Sequence, residues 1–132
     1  MQIITSKDNE SIKLIKKLKD KKFRTKENCF IVEGIKLVKE AIMENANIKK
    51  IVICEECIKN NSIDKKALYE ISKYDCIYVT EAVFNTITDV STPQGILAVV
   101  EQQGSEQQID YSRRYYFNFR WNTRSWKFRN NN

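Results

Sequence analysis

Residues 29–42 read Cys29-Phe30-Ile31-Val32-Glu33-Gly34-Ile35-Lys36-Leu37-Val38-Lys39-Glu40-Ala41-Ile42, and this stretch decides the fold class. The apolar run over 29–32 predicts a short strand. Gly34 breaks it, since glycine supplies backbone freedom where a strand turns into a helix. Ile35, Leu37, Val38, Ala41 and Ile42 then recur at helical spacing, which predicts an amphipathic helix over 34–45 that Asn45 to Asn47 end. A strand delivered straight into such a helix is the repeating unit of an α/β fold.

The same alternation continues outward. Upstream, Ser6 or Asn9 can cap a helix over 9–22 in which Ile12, Leu14, Ile15 and Leu18 form the apolar positions. Downstream, Ile51-Val52-Ile53 centres a strand over 49–54, and Asn60-Asn61-Ser62 reads as a loop that caps a helix over 63–73. A strand over 76–79 follows, and Thr80 can cap a short helix carrying Val83, Phe84 and Ile87. The turn Ser91-Thr92-Pro93-Gln94-Gly95 precedes a last strand over 96–100. Strands alternating with helices predict a mainly parallel four-stranded sheet covered by helices.

Charge is unevenly spread. The formal net charge is +6, yet residues 1–111 hold 17 basic and 17 acidic side chains, and the whole excess falls in residues 112–132. Within the body, residues 1–28 carry nine basic against four acidic side chains, a local +5 that is the better electrostatic clue. No apolar run approaches the roughly 20 residues of a membrane span, and no secretory leader opens the chain, so the expected location is the cytoplasm.

Catalytic constellations are absent. The 132 residues contain no histidine to act as general base and no glycine-rich phosphate cradle. Glu55 and Glu56 follow a strand and read as solvated loop acids. Cys54-Glu-Glu-Cys57 has the spacing of zinc and redox sites, but a closed zinc site needs two further ligands. Cys29 and Cys76 stand singly in strand-like runs, so ordinary buried thiols are expected and no metal.

Lys13, Lys17, Lys21, Lys22, Arg24 and Lys26 lie on or just beyond the first helix. Such a row suits the phosphate backbone of a nucleic acid, and it suits a solvated helix face equally well. Nothing in the pattern separates RNA from DNA.

Taken in order, the landmarks carry a resemblance. Ser6 and Asn9 come first, then Lys22-Phe23-Arg24, then Phe30-Ile31-Val32-Glu33-Gly34, and finally Thr92-Pro93-Gln94-Gly95 ahead of an apolar strand. The chain over 1–101 resembles the N-terminal RNA substrate-binding domain of the SpoU/TrmH family of RNA 2′-O-ribose methyltransferases. The resemblance implies a small three-layer α/β/α sandwich like that of certain RNA-binding ribosomal proteins. It also implies a role in gripping structured RNA, ribosomal RNA above all. By similarity Asn9, Lys13, Lys22, Arg24, Glu33 and Gly34 face the RNA, with Lys17 and Lys21 joining them from the basic row. Arg24 is the foremost candidate, because a guanidinium can give phosphate two hydrogen bonds. A free-standing ribosomal-type RNA-binding protein and a protein-interaction module are the alternatives.

The family's S-adenosylmethionine domain opens with an apolar strand and a D-P-G-N-x-G-type loop, and no such residues follow Val100. The expectation is that this chain by itself binds no cofactor, performs no catalysis and is monomeric, since the family dimerises through that second domain. Residues 102–110 read as a polar linker. Residues 111–132 contain both tryptophans and no aliphatic side chain. They are expected to be an out-of-frame, disordered tail. Reading one base later, Trp121-Asn122 and Trp126-Lys127 each force a glycine codon. Suitable codons for the neighbouring residues then yield D-P-G-N-L-G at the place the family requires it.

Overall fold

The computed structural model describes residues 2–59 and 63–102. The expectations for the loop 60–62, for most of the linker and for the tail lie outside these residues. Five strands are described: β1 (Ile3–Ile4), β2 (Cys29–Glu33), β3 (Asn47–Ile53), β4 (Cys76–Val79) and β5 (Ile96–Glu101). Six helices accompany them: α1 (Glu10–Lys17), α2 (Lys21–Glu27), α3 (Ile35–Met43), α4 (Glu55–Ile58), α5 (Lys65–Ser72) and α6 (Glu81–Ile87).

The strands form one sheet in the order β1-β4-β3-β5-β2. This corrects the expected mainly parallel four-stranded sheet. Only β1–β4 and β4–β3 are parallel, while β5 lies antiparallel to both β3 and β2. The reason is where β5 starts. Ile96 pairs with Ile53, the last residue of β3, and Ile53 pairs in turn with Tyr78 near the end of β4. The chain therefore re-enters the sheet at the end where its neighbours stop, and it can only run back between them. The additional strand is the Ile3-Ile4 pair, whose two residues are too few to show a period.

Central-strand residues alternate between two cores. Ile31, Val52, Leu97 and Val99 point to one face, where Ile12, Ile15 and Leu18 of the α1 segment and Val83, Phe84 and Ile87 of α6 cover them. Phe30, Val32, Ile51, Ile53, Ile96, Ala98 and Val100 point to the other, beneath Val38 and Ala41 of α3 and Ile71 of α5. A strand buried on both faces reads as a continuous apolar run, which is why 29–32 and 96–100 lack polar alternation. The outcome is a helix layer, a sheet and a second helix layer.

The helix expected over 9–22 is two helices. Asn9 caps α1, its Oδ1 accepting from the amides of Ser11 and Ile12 at 2.9 and 3.3 Å. The break comes at Asp20, which is extended and caps α2 by accepting from the Lys22 amide at 3.0 Å. A short carboxylate that bonds the backbone ahead of it competes with helix continuation. Asn28 ends α2 in the left-handed conformation, φ 61°, which asparagine tolerates.

Candidate nucleic-acid interface

The basic row spans the α1–α2 corner. Lys13, Lys17, Lys21, Lys22 and Lys26 are all exposed. Among the described residues none of them is in an ion pair. Lys17 places its ammonium 5.5 Å from the centroid of the Phe23 ring, which ties the end of α1 to α2. The intervening lysines are occupied. Lys16 donates to the Lys7 carbonyl at 3.5 Å, and Lys19 donates to the Thr86 carbonyl at 3.2 Å and pairs with Asp89 at 3.8 Å. Helical spacing explains the division, because positions 13 and 17 share one face of α1 and 12, 15 and 19 turn toward α6.

Arg24 is half-buried. Its Nη1 donates to the carbonyls of Leu18 and Lys19 at 3.0 and 2.9 Å. These are orphan acceptors at the C-terminal end of α1, so the guanidinium fastens the corner that carries the lysines.

Glu33 and Gly34 are not part of that row. Glu33 is 5% exposed at the end of β2. Its carboxylate accepts from the Thr88 hydroxyl and, at 3.4 Å, from the Asp89 amide, so it anchors the chain leaving α6. Gly34 has φ 104°, and a Cβ there would meet Gln94 Oε1 at 3.2 Å. The Gly34 amide donates to the Ile96 carbonyl at 3.0 Å, and Gln94 Oε1 accepts from the Ile35 amide at 2.7 Å. Gly95 is tighter still. With φ 98°, a Cβ there would lie 2.7 Å from the Ile58 nitrogen, 2.8 Å from Cys57 Cβ and 2.9 Å from the Cys54 carbonyl oxygen. The Glu33-Gly34 and Thr92–Gly95 motifs are thus two halves of one backbone junction.

The Cys54-x-x-Cys57 pair sits beneath that junction, both residues buried. Desolvation, with the neighbouring Cys54 thiol and the Glu81 and Glu56 carboxylates, pushes Cys57 up to about 12, so it is a neutral thiol at physiological pH. Among the described residues no group of three or more His, Cys, Asp or Glu side chains could hold a metal ion. Glu56, expected as a loop acid, lies in α4 and accepts from the Glu81 amide at 2.8 Å.

A feature the residue pattern did not disclose lies at the β1 edge. Gln2, Ile3, Thr5, Ser6, Asn9 and Tyr78 line a groove of about 560 Å³. Tyr78 is half-buried. Its phenol is pushed up by burial and by the nearby Cys76 and Glu55, so at neutral pH it keeps its proton. The signal available was Ile3-Ile4 followed by Thr5-Ser6, too short to be read as a strand.

Comparison with solved structures defines the class. An rRNA methyltransferase from Sinorhizobium meliloti superposes with a TM-score of 0.62 at 28% identity, over 79% of this chain and 38% of that one. An RNA 2′-O ribose methyltransferase shares the fold with a TM-score of 0.62 at 21% identity, over 76% of this chain and 37% of that one. The sheet and its two helix layers are shared with these methyltransferase structures. Within that class, the chain belongs to the MRM3-like substrate binding domain family, whose model matches residues 9–98. Its homologues are SpoU/TrmH-type rRNA 2′-O-methyltransferases. One is the 23S rRNA (guanosine(2553)-2′-O)-methyltransferase RlmP of Bacillus subtilis (strain 168), 34% identical over 99 residues. The chain spans 37% of that relative's length. A further Sinorhizobium meliloti structure and one from Streptomyces viridochromogenes are described as bound to AdoMet.

Proposed function

We propose that residues 1–101 are an RNA-gripping module of a SpoU/TrmH-type rRNA methyltransferase, with 102–110 as linker and 111–132 as a separate tail. The module acts in the cytoplasm on structured ribosomal RNA. The observation that carries this is the α1–α2 corner, which displays Lys13, Lys17, Lys21, Lys22 and Lys26 without an ion pair among the described residues. An ammonium with no carboxylate neighbour is available to replace counterions along a phosphate backbone. Asn9 shapes the start of the row. Arg24 supports it from beneath, and Glu33 and Gly34 act indirectly, by fixing the backbone junction.

No helix among the described residues is long and apolar enough to cross a membrane, and an exposed lysine row meets polyanions in water. S-adenosylmethionine chemistry, in this reading, belongs to the whole enzyme rather than to residues 1–101.

Fluorescence anisotropy against a structured ribosomal RNA fragment, repeated across salt concentrations, tests the reading. Lys13→Ala with Lys17→Ala, and Lys21→Ala with Lys22→Ala, should each weaken binding. Each pair should also flatten the salt slope, by about 0.9 per lost phosphate contact. Salt-independent binding, or slopes unchanged in both pairs, overturns it.

A further inference from the structure

We infer that the exposed face of α5 is a second RNA contact, where an unpaired base stacks on Tyr69 while Lys65 and Lys66 meet the adjoining phosphates. This rests on the RNA reading above and adds a contact on the opposite side of the sheet from the α1–α2 corner.

Three observations support this platform. The first is an uncovered ring. Tyr69 is 63% exposed, the one aromatic among the large apolar side chains that the described residues leave exposed. Ala67 and Ile71 are the buried positions of α5, so helical spacing carries 65, 66, 69 and 73 around to the solvent side. Lys73 sets its ammonium 4.8 Å from the centroid of the Tyr69 ring, which steadies the ring from one side. A ring held in this way has less freedom to lose when a base stacks on it.

The second is charge. Lys65 and Lys66 precede Tyr69 by four and three residues, and Lys73 follows it by four, spacings at which helix side chains are neighbours. Each carboxylate between 63 and 75 is already held by a lysine: Asp64 by Lys39 at 3.8 Å, Glu70 by Lys73 at 3.4 Å and Asp75 by Lys50 at 3.1 Å. Lys65 and Lys66 are exposed and belong to none of the ion pairs among the described residues. Ammonium groups beside a bare aromatic ring suit a nucleic-acid strand, which offers a π-face and a phosphate at every nucleotide. An apolar partner helix would leave both lysines uncompensated.

The third is placement. Ile71 of α5 lies in the core beneath α3, whereas Ile12, Ile15 and Leu18 of the α1 segment cover the other face of the sheet. The nucleotides that reach Tyr69 are therefore not those lying on the corner lysines. Two segments of one folded RNA make the two contacts, and the losses from disabling each should multiply.

The test uses the full chain and a structured ribosomal RNA fragment carrying 4-thiouridine at its unpaired positions, beside a fully paired duplex of the same length. Photocrosslinking should place an unpaired base on the tryptic peptide 67–73, which holds Tyr69. Tyr69→Ala sits at an exposed helix position where alanine is well tolerated. It should weaken binding of the fragment roughly tenfold, erase that crosslink and leave the salt slope unchanged. Tyr69→Phe should restore both affinity and crosslink. Lys65→Ala with Lys66→Ala should flatten the slope by about 0.7 per lost phosphate contact on a single strand. Combining that pair with Lys13→Ala and Lys17→Ala should multiply the two losses. If the corner variants weaken binding but Tyr69→Ala changes neither affinity nor crosslink, the platform is refuted and the basic corner stands. An equal loss of duplex binding in Tyr69→Ala also refutes it. So does self-association that Tyr69→Ala abolishes while RNA binding holds, which would give this face to a second copy of the chain. If no RNA binds, both readings fall.

Discussion

Gln94 Oε1 accepts a hydrogen bond from the Ile35 amide at 2.7 Å, so α3 is capped by a side chain 59 residues away. Gly34, the residue at the N-cap position, has no side chain with which to do this. The same contact sets the end of β2 beside the start of β5, where the Gly34 amide meets the Ile96 carbonyl. One glutamine thereby ties a helix, a strand and a turn at the end of the sheet where β5 begins.

Removing that cap should be felt locally. Gln94→Ala is expected to cost about 1 kcal/mol, the usual worth of a lost N-cap. Gln94→Glu, which keeps an acceptor, should recover most of it. Thermal denaturation followed by circular dichroism reads the difference, and equal melting temperatures for wild type and Gln94→Ala would remove the cap from the account.

Gly95→Ala should be more damaging than Gly34→Ala. Both positions have left-handed φ, 98° and 104°, but a Cβ at Gly95 strikes backbone at 2.7 Å whereas one at Gly34 meets the end of a flexible glutamine at 3.2 Å. Backbone strain and overpacking together suggest roughly 2–5 kcal/mol at Gly95 and about 1–3 at Gly34. Urea unfolding midpoints give the ranking, and the reverse order would contradict it.

Arg24→Ala should destabilise the fold by about 1–3 kcal/mol, because the carbonyls of Leu18 and Lys19 lose a charged donor. Arg24→Lys keeps the charge but loses the guanidinium geometry, so it should remain destabilised. Its RNA salt slope should nevertheless stay near wild type. A lysine variant of full stability with weakened RNA binding would instead make Arg24 a phosphate ligand.

Native thiols should react slowly. Burial raises Cys29, Cys57 and Cys76, with Cys57 pushed up to about 12. The thiol form favoured by the fold contributes stability below the unfolded value of 9.0, and that contribution is lost as pH rises from 9.0 toward about 12. Cys57→Ala should therefore flatten the alkaline decline in melting temperature. A thiol reagent at pH 8 should label the native chain far more slowly than the urea-unfolded chain. Rapid labelling of Cys57 in the native state would refute its burial.

Apolar spacing determined the α/β class and four of the five strands. Short polar residues offered Ser6 or Asn9 and Thr80 as caps, of which the fold uses Asn9 and Thr80, and the ordered motifs carried the resemblance to the family that residues 9–98 match. Those features are written in near neighbours: a run of β-branched residues, a helical period, a short polar side chain ahead of a helix. Whether β5 lies parallel or antiparallel is not, because Ile96 to Val100 reads identically in either direction. It is decided by where residues 88–95 return the chain to the sheet. Glu33 shows the same division. Its place beside Gly34 helped to mark the family, and in one dimension a carboxylate after a strand looks solvent-facing. Only the packed fold brings Thr88 and the Asp89 amide against it, because burying a charge is tolerated where donors arrive from elsewhere in the chain. Arg24 follows suit: the sequence determined that a guanidinium stands among lysines, and the bend at Asp20 decided that it turns inward to the end of α1.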